Sequence, residues 1–506
     1  MHRTKKSVYN IVSMLSSTVI NSVMGLIVVN LTIRTYGSDM NGFSATVAQF
    51  MVFLTIIEGG FGMATNVALY KPFVESDRQK INAILSASRI VYLILSGVFT
   101  VIALGIAIFY PYFVKSDLNV GLMTTFFLMA IFPAAISFLT EKYRVLFEVS
   151  QREYILYSVS AVVTFLTHLS SILIMLSGGG ILWVRFSIMC FGLSMSLILI
   201  LLFRKYFSRV SFRAKPDFSG LKSTPNVMVQ KLANALYISL PTLVISSFVG
   251  TVYASVFMIY NSIFAVVKNV ITSFVSAPIN GFGQLLAEKG PEGVRSIFRT
   301  FEFITVLVLN TLITTTIVFI VPFIRIYTHG VNDINYVDWN MAVLFMIVVI
   351  FEVIFLPSSI ILNVSGRFKA SRDIHVVSCA ILCVSSLTLV HFYGVYGVLI
   401  GNLLCNIVRA QLAIQYTHHR ILQMDSGAYY RVLFFNSALS FLISFAGYRL
   451  DLNFGGYVPL LLAGAAGFVA IGAIVAVMNY LFFKREMVEA FDRFAGITFR
   501  KLRRAI

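Results

Sequence analysis

The sequence predicts an all-α polytopic membrane protein of about fourteen transmembrane helices, built as two six-helix lobes in pseudo-twofold repeat plus two extra helices. Three observations predict it. Of 506 residues, 58% are hydrophobic and only 12% are charged, whereas a soluble globular chain carries about 25% charged residues and needs them to cover its surface. The apolar residues fall into long runs of the length that crosses a bilayer, roughly 20 residues. The chain also resembles itself at an offset of about 212–216 residues.

Runs bounded by charge, Pro or Gly place the spans at 8–33, 40–70, 82–112, 119–140, 155–177, 181–203, 226–249, 252–283, 301–325, 338–363, 374–393, 395–415, 431–448 and 458–483. The basic start with Arg3, Lys5 and Lys6 looks like the n-region of a signal peptide, but its apolar run is about twice too long, so an uncleaved first span is expected. Gly394–Gly397 leaves only a tight turn between two spans. With the N-terminus in the cytoplasm, about 30 of the 39 Lys and Arg fall in cytoplasmic segments. The opposite loops hold four, Arg34, Lys115, Arg325 and Arg449, and the positive-inside rule therefore puts both termini in the cytoplasm. The net charge of +18 then faces anionic membrane lipids and not nucleic acid.

The repeat rests on several matches sharing one offset. Val149-Ser150-Gln151-Arg152 aligns with Val364-Ser365-Gly366-Arg367, Asn10-Ile11-Val12 with Asn226-Val227-Met228, Gln49 with Asn261, and Arg89 with Glu302. The expected organisation is an N-lobe over 1–203, a cytoplasmic linker over 204–225, a C-lobe over 226–415, two further spans within 416–483, and a basic tail over 484–506. Each copy has an even number of spans, so the two share one orientation, a layout suited to alternating access. The tail sets Val488, Phe491, Ala495, Phe499 and Leu502 at helical spacing against Arg493, Arg500, Lys501, Arg503 and Arg504, the pattern of an amphipathic helix on the inner leaflet.

Enzyme chemistry finds no motif. There is no G-x-x-x-x-G-K-[ST], H-E-x-x-H or G-x-S-x-G. Cys190, Cys379, Cys383 and Cys405 lie in apolar runs, and no Cys or His has metal-ligand spacing, so no metal or cofactor is expected. Short outer loops leave no room for a glycan-joining site.

Charge inside the spans is costly and marks an aqueous path. At 1.5 Å per residue, Lys231, Arg89 and Arg409 lie roughly 8–12 Å from the cytoplasmic side. Lys268 falls near the midplane, Arg185 one turn from the outside and Arg34 at the outer mouth. This ladder of cations suits a polyanion, because phosphate oxygens pair well with Arg and Lys; snorkelling to the interface is the alternative for Lys231, Arg89 and Arg34. Lys268 is too deep to snorkel. Asn402, Asn406 and Arg409 form a polar stripe that serves either the path or helix–helix contact, and Gln49 and Asn261 add polar lining. Glu58, before Gly59-Gly60, is either an ion-pair partner of Arg89 or a proton carrier. Glu352, near the midplane, is the second proton-coupling candidate, and Glu302, near the interface, reads as structural.

Fourteen spans in two six-helix lobes, Asn10 opening span one, Tyr36-Gly37 with Gly42 at the first outer turn, and Glu58-Gly59-Gly60-Phe61-Gly62 in span two together resemble the Wzx-type flippases. These are polysaccharide-repeat transporters of the multidrug/oligosaccharidyl-lipid/polysaccharide superfamily. The resemblance implies flipping of a polyprenyl-diphosphate-linked oligosaccharide across a bacterial plasma membrane, through a cationic cavity supplied by Lys268, Arg89, Arg185, Lys231, Arg409 and Arg34. It also allows glycan polymerase and assembly proteins as partners. The similar lipid II flippases hold sodium with acids in spans seven and eleven; here span seven carries Lys231 and no acid, and span eleven has none, which leaves protons or the membrane potential. Two other readings remain. A cation-coupled multidrug exporter on the same scaffold needs an acid-rich cavity, and a non-transporting scaffold for glycan assembly has no need of Lys268.

Overall fold

The computed structural model describes residues 3–58, 60–219 and 225–493; the side chains of residues 3–19, 63, 225–228 and 280 are outside the description. Thus the side chains of Arg3, Lys5, Lys6, Asn10, Asn226, Val227 and Met228 lie outside it, as do Gly59 and the tail from residue 494 with Ala495, Phe499, Arg500, Lys501, Leu502, Arg503 and Arg504. The described chain is helical and turn-linked, without a strand. Its helices are α1 (Arg3–Leu54), α2 (Phe61–Val74), α3 (Arg78–Phe109), α4 (Val120–Val149), α5 (Glu153–Leu176), α6 (Ile181–Tyr206), α7 (Pro225–Val244), α8 (Thr251–Ser276), α9 (Ile279–Tyr327), α10 (Trp339–Val364), α11 (Phe368–Gln415), α12 (Gly427–Arg449) and α13 (Tyr457–Phe482). Residues 484–493 form a further, tail helix.

Among the described residues, twelve helical stretches are long and apolar enough to cross a membrane. Three of them run to 39 residues or more, and two of these, Phe368–Ile421 and Ile20–Glu58, match two predicted apolar runs each. Phe368–Ile421 has 54 residues, about 80 Å of helix against a core of about 30 Å. It is broken at Gly394, whose φ of 55° only glycine adopts freely. The two arms then lie directly against each other: a Cβ at Gly397 would sit 2.1 Å from the Leu389 carbonyl oxygen, and one at Gly401 would sit 2.8 Å from the Ser386 nitrogen. Ile20–Glu58 is likewise broken at Gly37, φ 85°. Counting both arms of each makes fourteen crossings, at the places the apolar runs predict.

The helix breaks after Glu58, where Gly60 supplies the conformational freedom. Residues Thr55–Glu58 tighten into a 3-10 turn and Gly60 has φ 81°. The rod continues through the break alongside α4. Phe43 packs on Phe126 at one end, and Asn66 donates to Glu148 at the other.

The repeat is written in the backbone. Left-handed residues recur in pairs: Gly37 and Gly250, Ser76 and Gly290, Gln151 and Gly366, Gly178 and Gly394. The members of each pair are 213, 214, 215 and 216 residues apart in turn. Ser150 and Ser365, aligned from sequence, end α4 and α10 in the same conformation. Each turn is thus built twice, whatever residue fills it.

By internal packing the chain divides into Met1–Val256 and Phe257–Ile506. In the first unit, Met40, Phe43, Val47 and Leu54 of α1 pack with Phe126, Phe127 and Phe138 of α4. In the second, buried polar side chains join the helices. Asn436 of α12 and Asn479 of α13, both fully buried, exchange amide hydrogen bonds of 2.9 and 2.8 Å. Asn436→Ala strands its partner amide in an apolar interior, which costs about 1–3 kcal/mol. Thermal melting of the purified protein should fall accordingly, and the double Asn→Leu variant should recover most of it.

Candidate functional site

Six of the predicted residues lie in the second unit. Lys268 on α8 donates from Nζ to Glu352 Oε1 on α10 at 2.9 Å, with their side chains 31% and 15% exposed. Asn261 lies seven residues before Lys268, two helical turns along the same face. On the second arm of α11, Arg409 is buried and donates from Nη2 to Asn406 Oδ1 at 2.8 Å. Asn406 in turn donates to the Asn402 side chain and backbone, each at 2.9 Å. The guanidinium of Arg409 lies over the ring of Phe355, 4.5 Å from its centre, one turn along α10 from Glu352. Cys405 is in electrostatic range of both Arg409 and Glu352, so the stripe and the ion pair belong to one neighbourhood. His375, which the sequence reading passed over, packs edge-on against Phe355.

The first unit holds a different site. Glu58 does not pair with Arg89. Its Oε1 accepts from the Gly62 backbone N–H at 3.1 Å and from the Tyr92 hydroxyl at 3.4 Å, whereas Arg89 is exposed on α3 and lies in range of Lys142. Lys231 shares the cavity with Glu58, and its side chain covers Gly60, where a Cβ would touch Nζ at 3.8 Å. Glu58, Lys231, Asn66, Glu141 and Glu148 line a common cavity of about 340 Å³. Arg144 pairs with Glu148 at 3.2 Å and Glu141 at 3.8 Å.

This cavity departs from the predicted cationic ladder: three carboxylates face one lysine and, beside them, one arginine. Glu141 and Glu148 lie past the predicted span, whose apolar run ends at residue 140. The helix does not end there; α4 runs on to Val149. The spacing Glu141–Arg144–Glu148, at i, i+3 and i+7, is the signal that was present.

The remaining candidates are dispersed. Arg185 lies against the Phe126 ring at 4.7 Å, with its Nε buried and lacking a hydrogen-bond partner among the described residues. Gln49 Oε1 is in the same condition. Arg34 is exposed on α1. Glu302, read as structural, is fully buried and bonds His418 Nε2 at 2.9 Å.

A cluster the sequence reading did not single out lies where α1, the α3–α4 connection and the start of α8 meet. Asp39 accepts from Ser116 Oγ at 2.8 Å, from the Asp117 backbone N–H at 2.9 Å, and from Thr251 Oγ1. Asn41 donates to Ser255 Oγ at 2.7 Å, and Tyr110 and Ser246 share a hydroxyl bond of 2.8 Å. Asp39 and Thr251 are 212 residues apart, and Asn41 and Ser255 are 214 apart, so matching places of the repeat touch.

These features define a multi-pass helical membrane protein with the fold of the MOP-superfamily transporters. An inward-facing multidrug resistance MATE family transporter of that superfamily superposes with a TM-score of 0.65 at 14% identity, covering 81% of this chain and 98% of its own. The lipid II flippase MurJ, in an inward closed conformation, gives 0.62 at 13% identity, covering 93% of this chain and 99% of its own. A MOP-superfamily transporter from Pyrococcus furiosus, described as having a binding pocket of reverse polarity that suggests a different function, gives 0.54 at 14% identity, covering 82% of this chain and 95% of its own. No protein-family model matches the sequence, and no curated protein matches it significantly.

Proposed function

We propose that this protein flips polyprenyl-diphosphate-linked oligosaccharide repeat units from the inner to the outer leaflet of a bacterial plasma membrane, by alternating access, for cell-surface polysaccharide synthesis. The observation that carries the reading is the centre of the second unit. There, Lys268 pairs with the carboxylate of Glu352, and the buried Arg409 lies over the ring of Phe355, one turn along α10. A diphosphate has both the charge and the oxygen geometry to engage an ammonium and a guanidinium together. As it does, Lys268 leaves Glu352 for the diphosphate, and the cost of a carboxylate without its partner in an apolar interior draws the lysine back once the cargo has gone. The flippase among the structural neighbours supports this reading, as does the neighbour described as having reversed pocket polarity.

The acid-lined cavity at Glu58, Glu141 and Glu148 serves as the coupling site in this scheme. It is also the observation that favours a second reading, a cation-coupled multidrug exporter. Reconstituted protein, given a fluorescent polyprenyl-diphosphate oligosaccharide with and without an imposed pH gradient, tests the first. Gradient-stimulated flipping is expected in wild type and should disappear in Glu58→Gln, leaving a slow, pH-independent rate. An unchanged pH profile in Glu58→Gln makes that carboxylate a structural partner of Lys231 and moves the driving force to the membrane potential.

A further inference from the structure

The two copies of the repeat differ at one corner, at the end of the helices that the charge rule places in the cytoplasm. In the first unit two cations share one ring there. Arg152, just past α4, lies 5.4 Å from the centre of Tyr206, and Lys205 lies 6.0 Å from it. Tyr206 packs in turn on Phe147. Cation–π contact and aromatic packing fill that corner.

The matching corner of the second unit keeps the cations and loses the rings. Arg367 follows α10 as Arg152 follows α4, 215 residues further on. Arg420 lies in the π-helical turn Tyr416–Ile421 that continues α11, 216 residues on from Arg204. At offsets of 215 and 216 the place of Tyr206 falls on Ile421 and Leu422, and at 215 that of Phe147 falls on Leu362. No ring stands at any of these positions, and a cavity of about 500 Å³ lies at the corner.

Arg367 and Arg420 are exposed at the rim of this cavity, and Leu286 and Ala287 of α9, Val364 of α10 and Ile421 give it an apolar wall. Among the described residues no carboxylate lines it. Glu288 and Glu292 of α9 stand outside the lining, beside Lys289 and Arg295, and Glu292 is 3.9 Å from Arg295. Asp425 lines a different cavity. Neither Arg367 nor Arg420 makes an ion pair, side-chain hydrogen bond or ring contact among the described residues. Gln423 also lines the cavity; its carbonyl oxygen accepts from Arg295 at 3.3 Å, so its amide N–H groups are what it has to donate.

We infer that this cavity is a site for the headgroup of an anionic phospholipid of the cytoplasmic leaflet, with Arg367 and Arg420 on the phosphate and the apolar wall against the start of the acyl chains. A guanidinium matches phosphate oxygens in both charge and shape, and basic pockets at the cytoplasmic ends of membrane helices suit anionic headgroups. A free anion would gain nothing from Leu286, Ala287, Val364 and Ile421, whereas a lipid buries apolar surface there as well. The volume falls within the range of ligand pockets, about 300–1,000 Å³. Such a lipid gives the two arginines the partner that Tyr206 gives the cations of the first unit. Val364 lies twelve residues beyond Glu352 on α10, about 18 Å along the helix. The site is therefore separate from the Lys268–Glu352 centre and stands whatever cargo that centre carries.

The test uses the full chain in phosphatidylcholine nanodiscs containing increasing fractions of phosphatidylglycerol, with hydrogen exchange read at residues 416–424. Exchange there should slow and then saturate as phosphatidylglycerol rises. Arg367→Gln with Arg420→Gln should raise the half-saturating fraction by about tenfold or more, the size of a lost charge-assisted hydrogen bond. Ala287→Trp, which fills the apolar wall and keeps both charges, should raise it as well. Arg152→Gln, at the ring-filled corner of the first unit, should leave it unchanged. Arg367, Arg420 and Ala287 are exposed, so the melting temperature in pure phosphatidylcholine should hold, and Ala287→Trp serves if the arginine pair does not fold. Absence of protection, equal protection in wild type and the site variants, or an equal loss in Arg152→Gln overturns the proposal. So does equal protection by inorganic phosphate in pure phosphatidylcholine, which would make the site one for a free anion.

Discussion

Lys268→Ala is expected to reduce flipping by about a hundredfold or more while the protein still reaches the membrane. The substitution has two separable effects. It removes the ammonium that engages the diphosphate, a charge-assisted contact of about 1.5–3 kcal/mol. It also leaves Glu352, 15% exposed, without its partner. Stranding one member of a buried pair costs about 3–5 kcal/mol; Lys268 is itself 31% exposed, so roughly 1–3 kcal/mol is the discounted expectation. The double variant Lys268→Ala with Glu352→Gln separates the two effects. Stability should return toward wild type, because no bare carboxylate remains. Flipping should stay lost, because the cation is still missing. Recovery of both would reduce the pair to a structural contact between α8 and α10.

Gly42→Ala carries the largest expected structural effect. A Cβ built on Gly42 would fall 1.6 Å from the Thr251 carbonyl oxygen and 3.0 Å from the Ser255 nitrogen. Backbone atoms cannot rotate away as a side chain does, so α1 and the start of α8 must separate. Separation breaks the Asp39–Thr251 and Asn41–Ser255 bonds as well. Overpacking alone costs about 1–3 kcal/mol, and the lost polar contacts add about 1 kcal/mol each. The melting temperature should drop markedly, and a disulfide between Asn41→Cys and Ser255→Cys, expected in the Gly42 background, should fail to form. An unaltered melting temperature with efficient cross-linking would mean that the helices do not approach at Gly42.

What was legible in the sequence follows from what a bilayer demands. Apolar length set the fourteen crossings, because hydrocarbon admits no other spanning element here than a helix of sufficient length. The break at Glu58-Gly59-Gly60, the hairpin at Gly394 and the repeat through Ser150 and Ser365 were readable because glycine and turn chemistry are local. Pairing was not readable. Lys268 and Glu352 are 84 residues apart, and each was marked by depth alone. Depth allows Glu58 to pair with Arg89 or to carry a proton, but Arg89 is exposed and it is Lys231 that lines the cavity with Glu58. Glu141 and Glu148 were lost because a hydropathy boundary is not a helix boundary: α4 continues past its apolar run by more than two turns. Asp39 gave no signal, since one acid in a predicted outer turn looks like solvent-facing polarity until its three partners are seen.

The direct test of the account is which cargo crosses. Proteoliposomes containing the purified protein would be given, side by side, a fluorescent polyprenyl-diphosphate oligosaccharide and a cationic dye, with a membrane-impermeant quencher reporting arrival on the far side. The account predicts that the anionic glycolipid becomes accessible to the quencher and the dye does not. Dye movement without glycolipid movement would contradict it, and would assign the acid-lined cavity at Glu58 to the cargo of a multidrug exporter.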